Sequence, residues 1–208
     1  MPGPVCKSLG ICPVANRKPN CMNIYFLYVK GLNKIRNKYL SLLYKLVYSK
    51  KVNFSNVQFG KGFTLEMAKT KCSLVIGRNV KFRQYSILRI RESGSVIIGD
   101  NVFFNSFLSV NCRNKVTIGE NCLFGENVRL YDHNHRFRNK AIPVNMQGYS
   151  VGEIKIGNNC WIGSNVTILK NADIGDNAVI GANVVIASSV PANTIVKQTG
   201  GALQYEEY

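Results

Sequence analysis

From Ile156 onward an aliphatic side chain returns every six residues, at Ile156, Ile162, Ile168, Ile174, Ile180 and Ile186. A helix repeats at about 3.6 residues and a strand at 2, so neither alone gives a strict six. A coil in which each six residues make one short strand and one corner does, and stacked coils of that kind form a parallel β-helix. The motif apolar–Gly–x–Asn occurs eight times, starting at Ile76, Ile98, Ile118, Phe124, Ile156, Ile162, Ile174 and Ile180. The aliphatic position is predicted to point inward, and Gly and Asn to form the corners, where left-handed backbone is common. The residue after each Asn is small or branched, which reads Cys122 and Cys160 as core fillers.

The same repeat shows where the coil is interrupted. Ile76, Phe82 and Leu88 are in phase, and Ile98 then arrives four residues late, which predicts a bulged corner around Glu92–Ser95. Phe104 and Val110 continue, and Ile118 arrives two late. Between Leu130 and Ile156 the gap is 26 residues, so residues 131–155 are read as a loop thrown out from the coil, and they hold both histidines of the chain. Upstream, residues 24–48 read as an amphipathic helix. Tyr28, Leu32, Ile35, Tyr39, Leu42 and Leu46 form its apolar face, and Lys30, Lys34, Lys38, Ser41 and Lys45 another. That apolar face is expected to pack on the first coils or a neighbouring subunit, or else to lie on an anionic membrane surface. The organisation expected is a loose tail over 1–22, a basic amphipathic helix over 23–50, a coil over 51–196 and a C-terminal tail over 197–208.

Composition narrows the partners. The 208 residues carry 27 Lys+Arg against 11 Asp+Glu, a net charge of +16. Basic and acidic residues number 12 and 1 over residues 1–70, 12 and 5 over 71–140, and 3 and 5 over 141–208, so the excess sits in the first two-thirds. Such a front suits nucleic acid, anionic lipid, an acidic glycan or a phosphorylated cofactor, and charge alone does not choose. No apolar run reaches the roughly 20 residues of a spanning helix, and residues 1–20 carry no signal-peptide core. Seven cysteines at irregular spacing, with no Cys-x-x-Cys pair, suit reduced thiols in a reducing compartment. A cytoplasmic protein is expected, with peripheral contact at the inner membrane face left open.

The coils, the looped-out Asp132-His133-Asn134-His135 and the run IKIGNNCWIGSNVTILKNADIGDNAVIGANVVI resemble the hexapeptide-repeat acetyltransferases. The likeness is to the galactoside/maltose type and to relatives that O-acetylate capsule or lipopolysaccharide sugars, and it covers about residues 57–196. It implies an all-β fold: a left-handed parallel β-helix of hexapeptide repeats, with the N-terminal helix and one extended loop, against the usual right-handed crossover. It further implies a homotrimer with active sites between subunits, acetyl-CoA as acyl donor and no metal. The resemblance puts the general base 17 residues after Ile118, at His135, with His133 a structural or substrate neighbour. A neutral imidazole takes the proton of a sugar hydroxyl as it attacks the thioester, and no cysteine nucleophile is needed.

Other roles are carried over residue by residue. Asn105 matches an acceptor-binding Asn, although it also reads as a plain corner Asn, and Asp132 is assigned to the substrate. Trp161, Ser164 and Ala182 match positions lining the cofactor. The acidic sugar contact of the galactoside enzymes is missing near Cys112 and Arg113, so Arg113 suggests an anionic acceptor or another sugar. The usual Gly-x-Pro-Ala-Lys/Arg ending is replaced by VKQTGGALQYEEY, with Lys197 the substitute for its basic residue. An antibiotic or xenobiotic O-acetyltransferase is the rival enzyme, and a non-catalytic trimeric scaffold with a basic binding face is the rival class. A γ-type carbonic anhydrase needs three histidines on zinc, and the chain has two. No nucleic-acid module is present.

Overall fold

The computed structural model describes residues 21–69, 71–199 and 202–207, and the tail expected over 1–22 lies almost wholly outside them. The chain divides into two compact units, residues 1–36 and 37–208. Of the first, the described part is the start of one helix, α1 (Cys21–Tyr48).

In the second unit the chain winds through six turns of a three-faced parallel solenoid. The first face stacks Val52–Phe54, Ser73–Ile76, Ser95–Ile98, Lys115–Ile118, Glu153–Ile156 and Asp173–Ile174. The second stacks Gln58–Phe59, Lys81–Phe82, Phe103–Phe104, Leu123–Phe124, Trp161–Ile162 and Val179–Ile180. The third stacks Thr64–Met67, Ile87–Ile90, Ser109–Cys112, Arg129–Tyr131, Thr167–Leu169 and Val185–Ile186. Each strand pairs with those one full coil before and after it, as Ile118 does with Ile98 and Ile156. The six aliphatic residues from Ile156 to Ile186 are all buried, as are Val80, Val102, Cys122, Val128, Cys160, Val166, Ala178 and Val184 after the corner asparagines. Towards the N-terminal coils the inward position turns aromatic, and Phe82 stacks on Phe104 at 4.8 Å and Phe104 on Phe124 at 4.7 Å.

Gly and Asn divide the corner between them. All eight motif asparagines take left-handed backbone, with φ between 54° and 64°. Their glycines do not, and serve close approach instead. A Cβ on Gly77 would lie 2.6 Å from the carbonyl carbon of Gly99, and one on Gly163 would lie 2.7 Å from the amide of Ala182. The asparagines also form ladders along the edges. Asn127 donates to Asn165 at 2.9 Å, and Asn165 to Asn183 at 3.1 Å. The late arrival of Ile98 is a turn in which Glu92 is left-handed (φ 57°).

Two expectations about the ends change. The apolar helix face expected to pack is exposed at Tyr39, Leu42 and Leu46, and it is Leu40, Tyr44 and Tyr48 that pack against the core. Tyr44 packs edge-on to Phe59 and Phe63, the Tyr48 hydroxyl donates to the Leu65 carbonyl at 2.9 Å, and Asn37 Oδ1 accepts the Phe59 N–H at 3.1 Å. The open end of the first coil needs aromatic cover and polar partners for its free edge, which tyrosine and asparagine supply and leucine does not. At the other end, part of the expected tail is a hairpin, Thr194–Thr199 with Ala202–Glu207, whose first strand extends the second face.

The ladder yields a stability test. Asn165→Ala forces a Cβ residue without a local hydrogen bond into left-handed backbone and breaks two ladder bonds, so it should cost about 2–3 kcal/mol. Asn165→Gly restores the backbone freedom but not the ladder and should recover about half, as read by thermal or denaturant unfolding.

Candidate active site

The break in the repeat is an ordered hairpin. His133–His135 pairs antiparallel with Tyr149–Val151, where the third face turns back to the first. It is tied to the coil by the Gly152 N–H on the Asp132 carbonyl (2.7 Å), by Asn114 Nδ2 on the Gly152 carbonyl (3.0 Å) and by Lys170 Nζ on Ser150 Oγ (2.8 Å). The Gln147 side chain closes the tip, donating to the carbonyls of Asn139 and Ile142.

At the hairpin root Asp132 is wholly buried. Its carboxylate accepts the backbone N–H groups of Arg113 (2.9 Å) and Asn114 (2.7 Å), and its Oδ1 stands 2.9 Å from His133 Nδ1. Burial opposes the charge, but the hydrogen bonds from His133 and from the Asn114 and Arg113 amides outweigh it and hold the carboxyl below its ordinary pKa. Asp132 therefore has no surface to offer a substrate, which corrects that assignment. Its place is to fix His133 and the corner. With Asp132 ionised, Nδ1 of His133 carries the proton, and Nε2 is left as the acceptor.

His133 and His135 are two apart on one strand, so they share a face, and both rings lie against Tyr149, at 5.2 and 4.5 Å between centroids. His135 is exposed and has no hydrogen-bond partner among the described residues, whereas His133 is nearly covered. The Arg113 guanidinium lies 3.4 Å over the other groups' shared ring, Tyr149, and is paired with Glu92. A cavity of about 200 Å³ opens here, walled by Arg89, Arg91, Arg113, His133, His135 and Tyr149. A second, of about 510 Å³, lies under the hairpin and includes His135, Phe137, Gln147 and Lys170. Of the two histidines, His135 alone lines both. Glu66 holds Arg89 and Arg91 at 3.1 Å each.

The remaining residues gather elsewhere. Asn105, Ser164 and Ala182 lie on the edge between the second and third faces, and Lys197 continues that edge beyond Gly181. Trp161 projects from the second face beside them, 57% exposed. Ser164 Oγ accepts the Glu126 N–H at 3.2 Å, which leaves its hydroxyl proton to donate. Lys197 is engaged by Glu206 at 2.6 Å, both exposed. Asn105 Oδ1 accepts the Ser106 N–H at 2.9 Å. Asn105 and Arg113 thus flank opposite ends of the same strand, Ser109–Cys112, and one chain does not bring the two groups together.

Sequence reasoning missed three aromatics. Tyr149 is the floor of the histidine pair. Tyr85 and Phe107 occupy the corner position held by Asn in later coils, both left-handed (φ 56° and 65°), with rings stacked at 5.6 Å and half exposed beside Asn105. The break in the Gly–x–Asn motif at Arg83–Tyr85 and Asn105–Phe107 was the available signal. The four cysteines described in full are buried, and burial raises the thiol pKa of Cys112 and, together with its Cys160 contact, that of Cys122. Among the described residues no cluster of three His, Cys, Asp or Glu stands ready for a metal.

The lowered carboxyl gives a signed prediction. A folded pKa below the unfolded value means that Asp132 contributes stability above about pH 4, lost as pH falls through the folded value. Asp132→Asn should cost about 1.5–3 kcal/mol near pH 7, and its gap from the parent should narrow as pH drops below 4 in denaturant melts.

Two family models match the chain: bacterial transferase hexapeptide (six repeats) over residues 153–188, and hexapeptide repeat of succinyl-transferase over 115–128. A probable acetyltransferase of Mycobacterium tuberculosis is 28% identical over 121 residues, 58% of this chain, and the match covers 40% of that relative's length. Among solved structures, a variant of the N-acyltransferase AntD of Bacillus cereus, with dTDP and coenzyme A, superposes with a TM-score of 0.63 at 16% identity over 80% of this chain and 87% of that one. A hexapeptide-repeat acetyltransferase of Vibrio cholerae, with acetyl-CoA, gives 0.51 at 23% identity, over 74% and 69%. At those identities the two structures speak for the fold. By its repeats and its coil, the chain is a member of the hexapeptide-repeat transferase family.

Proposed function

We propose that this chain is an acetyl-CoA-dependent O-acyltransferase whose acceptor is a sugar hydroxyl of a capsule or lipopolysaccharide glycan, working as a trimer with each site between two subunits. The observation that carries the reading is His135: an exposed imidazole on a clamped hairpin, at the wall shared by two cavities. Acyl-CoA chemistry is supported by the structural relatives, which hold coenzyme A or acetyl-CoA, and a sugar acceptor by AntD with dTDP-4-amino-4,6-dideoxyglucose. The trimer is supported by the separation of the two residue groups across the third face, since a neighbour's edge is what a hairpin projecting from one chain can meet.

In this reading Trp161, Ser164 and Ala182 of one subunit line the acyl-CoA arm, and the next subunit's hairpin presents His135. The imidazole takes the proton of the sugar hydroxyl while its oxygen bonds to the thioester carbon. The Ser164 hydroxyl donates to the oxyanion, the C–S bond breaks, and the thiolate of coenzyme A leaves and accepts the proton. Asp132, His133 and Tyr149 act by holding the strand. A second reading has one observation in its favour: the Asp132 contact gives His133 an oriented ring and an acceptor Nε2, the arrangement of a carboxylate-aligned base.

The test is release of free coenzyme A from acetyl-CoA, at catalytic enzyme concentration, against hydroxyl and amino sugars. His135→Ala should lower kcat about 10²–10⁴-fold, with His133→Ala retaining more. The reverse order moves the base to His133, and acetylation of amino sugars alone makes the enzyme an N-acyltransferase. Release with drug-like acceptors and no sugar selects the antibiotic reading, and no release with no acetyl-CoA binding leaves a scaffold. Co-assembly of His135→Ala with Trp161→Ala chains should regain about a quarter of the parent activity, because two intact halves meet in about one site in four only when sites are shared.

A further inference from the structure

The helix leaves its most regular apolar stripe uncovered. In the second unit Tyr39, Leu42 and Leu46 are 58–70% exposed, because Asn37, Leu40, Tyr44 and Tyr48 occupy the side seated on the first coil. Their spacing of three and four keeps them on one strip of a 3.6-residue helix. Lys38 and Lys45 each precede a stripe residue by one position, which puts both on one flank of the strip. The earlier turns, taken by themselves, repeat the pattern: Tyr28, Leu32 and Ile35 are 48–69% exposed, with Lys30, Lys34 and Arg36 among them. The helix has no acidic residue, and Glu66 is the first in the chain. No helix among the described residues is long and apolar enough to cross a membrane.

We infer that this face of α1 docks on an anionic lipid bilayer, with the helix lying in the interface plane. Leucines on the strip enter the acyl boundary to a depth of about 5–10 Å, tyrosines sit at headgroup level, and the flanking lysines extend to the lipid phosphates. Charge selects this occupant over a second copy of the chain. Two such helices would bring lysine against lysine along the seam, with no glutamate or aspartate on either to answer them. The strip and the coil contacts lie on different sides of the helix, so docking leaves the seat of Tyr44 and Tyr48 undisturbed. The inference stands apart from the acyltransferase reading, since it uses no residue of that site.

The experiment is co-sedimentation of the full chain with phosphatidylglycerol-containing vesicles and with phosphatidylcholine vesicles at about 0.1 M salt. Binding is expected to the anionic vesicles and to fall away at 0.5 M salt. Leu42→Glu/Leu46→Glu should abolish it, and Lys38→Gln/Lys45→Gln should lower the partition coefficient about 30-fold. The substituted side chains are exposed, so both variants should keep the parent melting curve, and the lysine pair keeps the test valid should the glutamates disturb the fold. No anionic-vesicle binding by the parent, or equal binding by both variants, overturns the inference. So does concentration-dependent association without lipid that the Leu42→Glu/Leu46→Glu change removes, since the face would then take a second copy. Coenzyme A release on a soluble sugar, run in parallel, fails or succeeds independently.

Discussion

Everything in this molecule follows from how closely one coil lies on the next. Backbone hydrogen bonds run from each strand to its copies a full turn away, and at the corners the chain must bend sharply without lifting the coil above. That leaves no room for a Cβ at the glycine position, where added atoms would come within 2.4–2.8 Å of the next turn at Gly77 and Gly157. It also demands left-handed backbone two residues later, where asparagine meets the demand and adds a side-chain ladder. The interior is then a set of columns in which each residue touches its own equivalents. Phe82, Phe104 and Phe124 stack, and Cys122 and Cys160 fill successive coils of one column.

A scaffold this repetitive shows its special positions as departures. Where Gly and Asn give way, something else occupies the edge. Asn105 replaces the glycine, and Tyr85 and Phe107 replace asparagine while keeping its strained backbone. Aromatic side chains in left-handed conformation cost on the order of 1–2 kcal/mol each relative to ordinary backbone. The stack of the two rings offsets part of that, and their exposure puts the pair on the same edge as Ser164 and Ala182. The largest departure is the hairpin after Leu130. Its root is held by a buried carboxylate that accepts two backbone N–H groups of the coil below, so the hairpin is positioned from the scaffold rather than from its own tip.

How much could be read beforehand follows the same division. The period of six, the inward columns and the interruption were legible because each coil repeats the same physical demand on the same residue types. The helix face was not. Tyr39, Leu42 and Leu46 are the cleaner apolar stripe, yet the coil end is an aromatic surface with free edge N–H groups, and it selects Asn37, Tyr44 and Tyr48, which a count of apolar spacing ranks lower. Asp132 was misread as a substrate contact because burial of a carboxylate depends on amides of Arg113 and Asn114, a whole coil away in sequence. Tyr149 was missed for the same reason, since only antiparallel pairing across the hairpin brings it beneath His133 and His135. The Gly200-Gly201 pair between two polar–apolar runs was a hairpin signal that the word tail passed over.

The separation of the two residue groups is the point at which scaffold geometry bears on chemistry. A three-faced coil puts a strand's start on one edge and its end on another. Asn105 and Ser164 therefore precede third-face strands, while Arg113 and the hairpin follow them, and no rotamer change brings one set to the other. Direct transfer needs the hydroxyl and the thioester carbon within about 3–3.5 Å, with the base in reach of the same oxygen. A single coil of this kind meets that requirement only by importing an edge, which three-fold packing of faces does at each of three equivalent seams. The long departure at residues 131–155 then has a physical reason: it is the element that reaches beyond its own prism, and its clamp at Asp132 keeps that reach from becoming disorder.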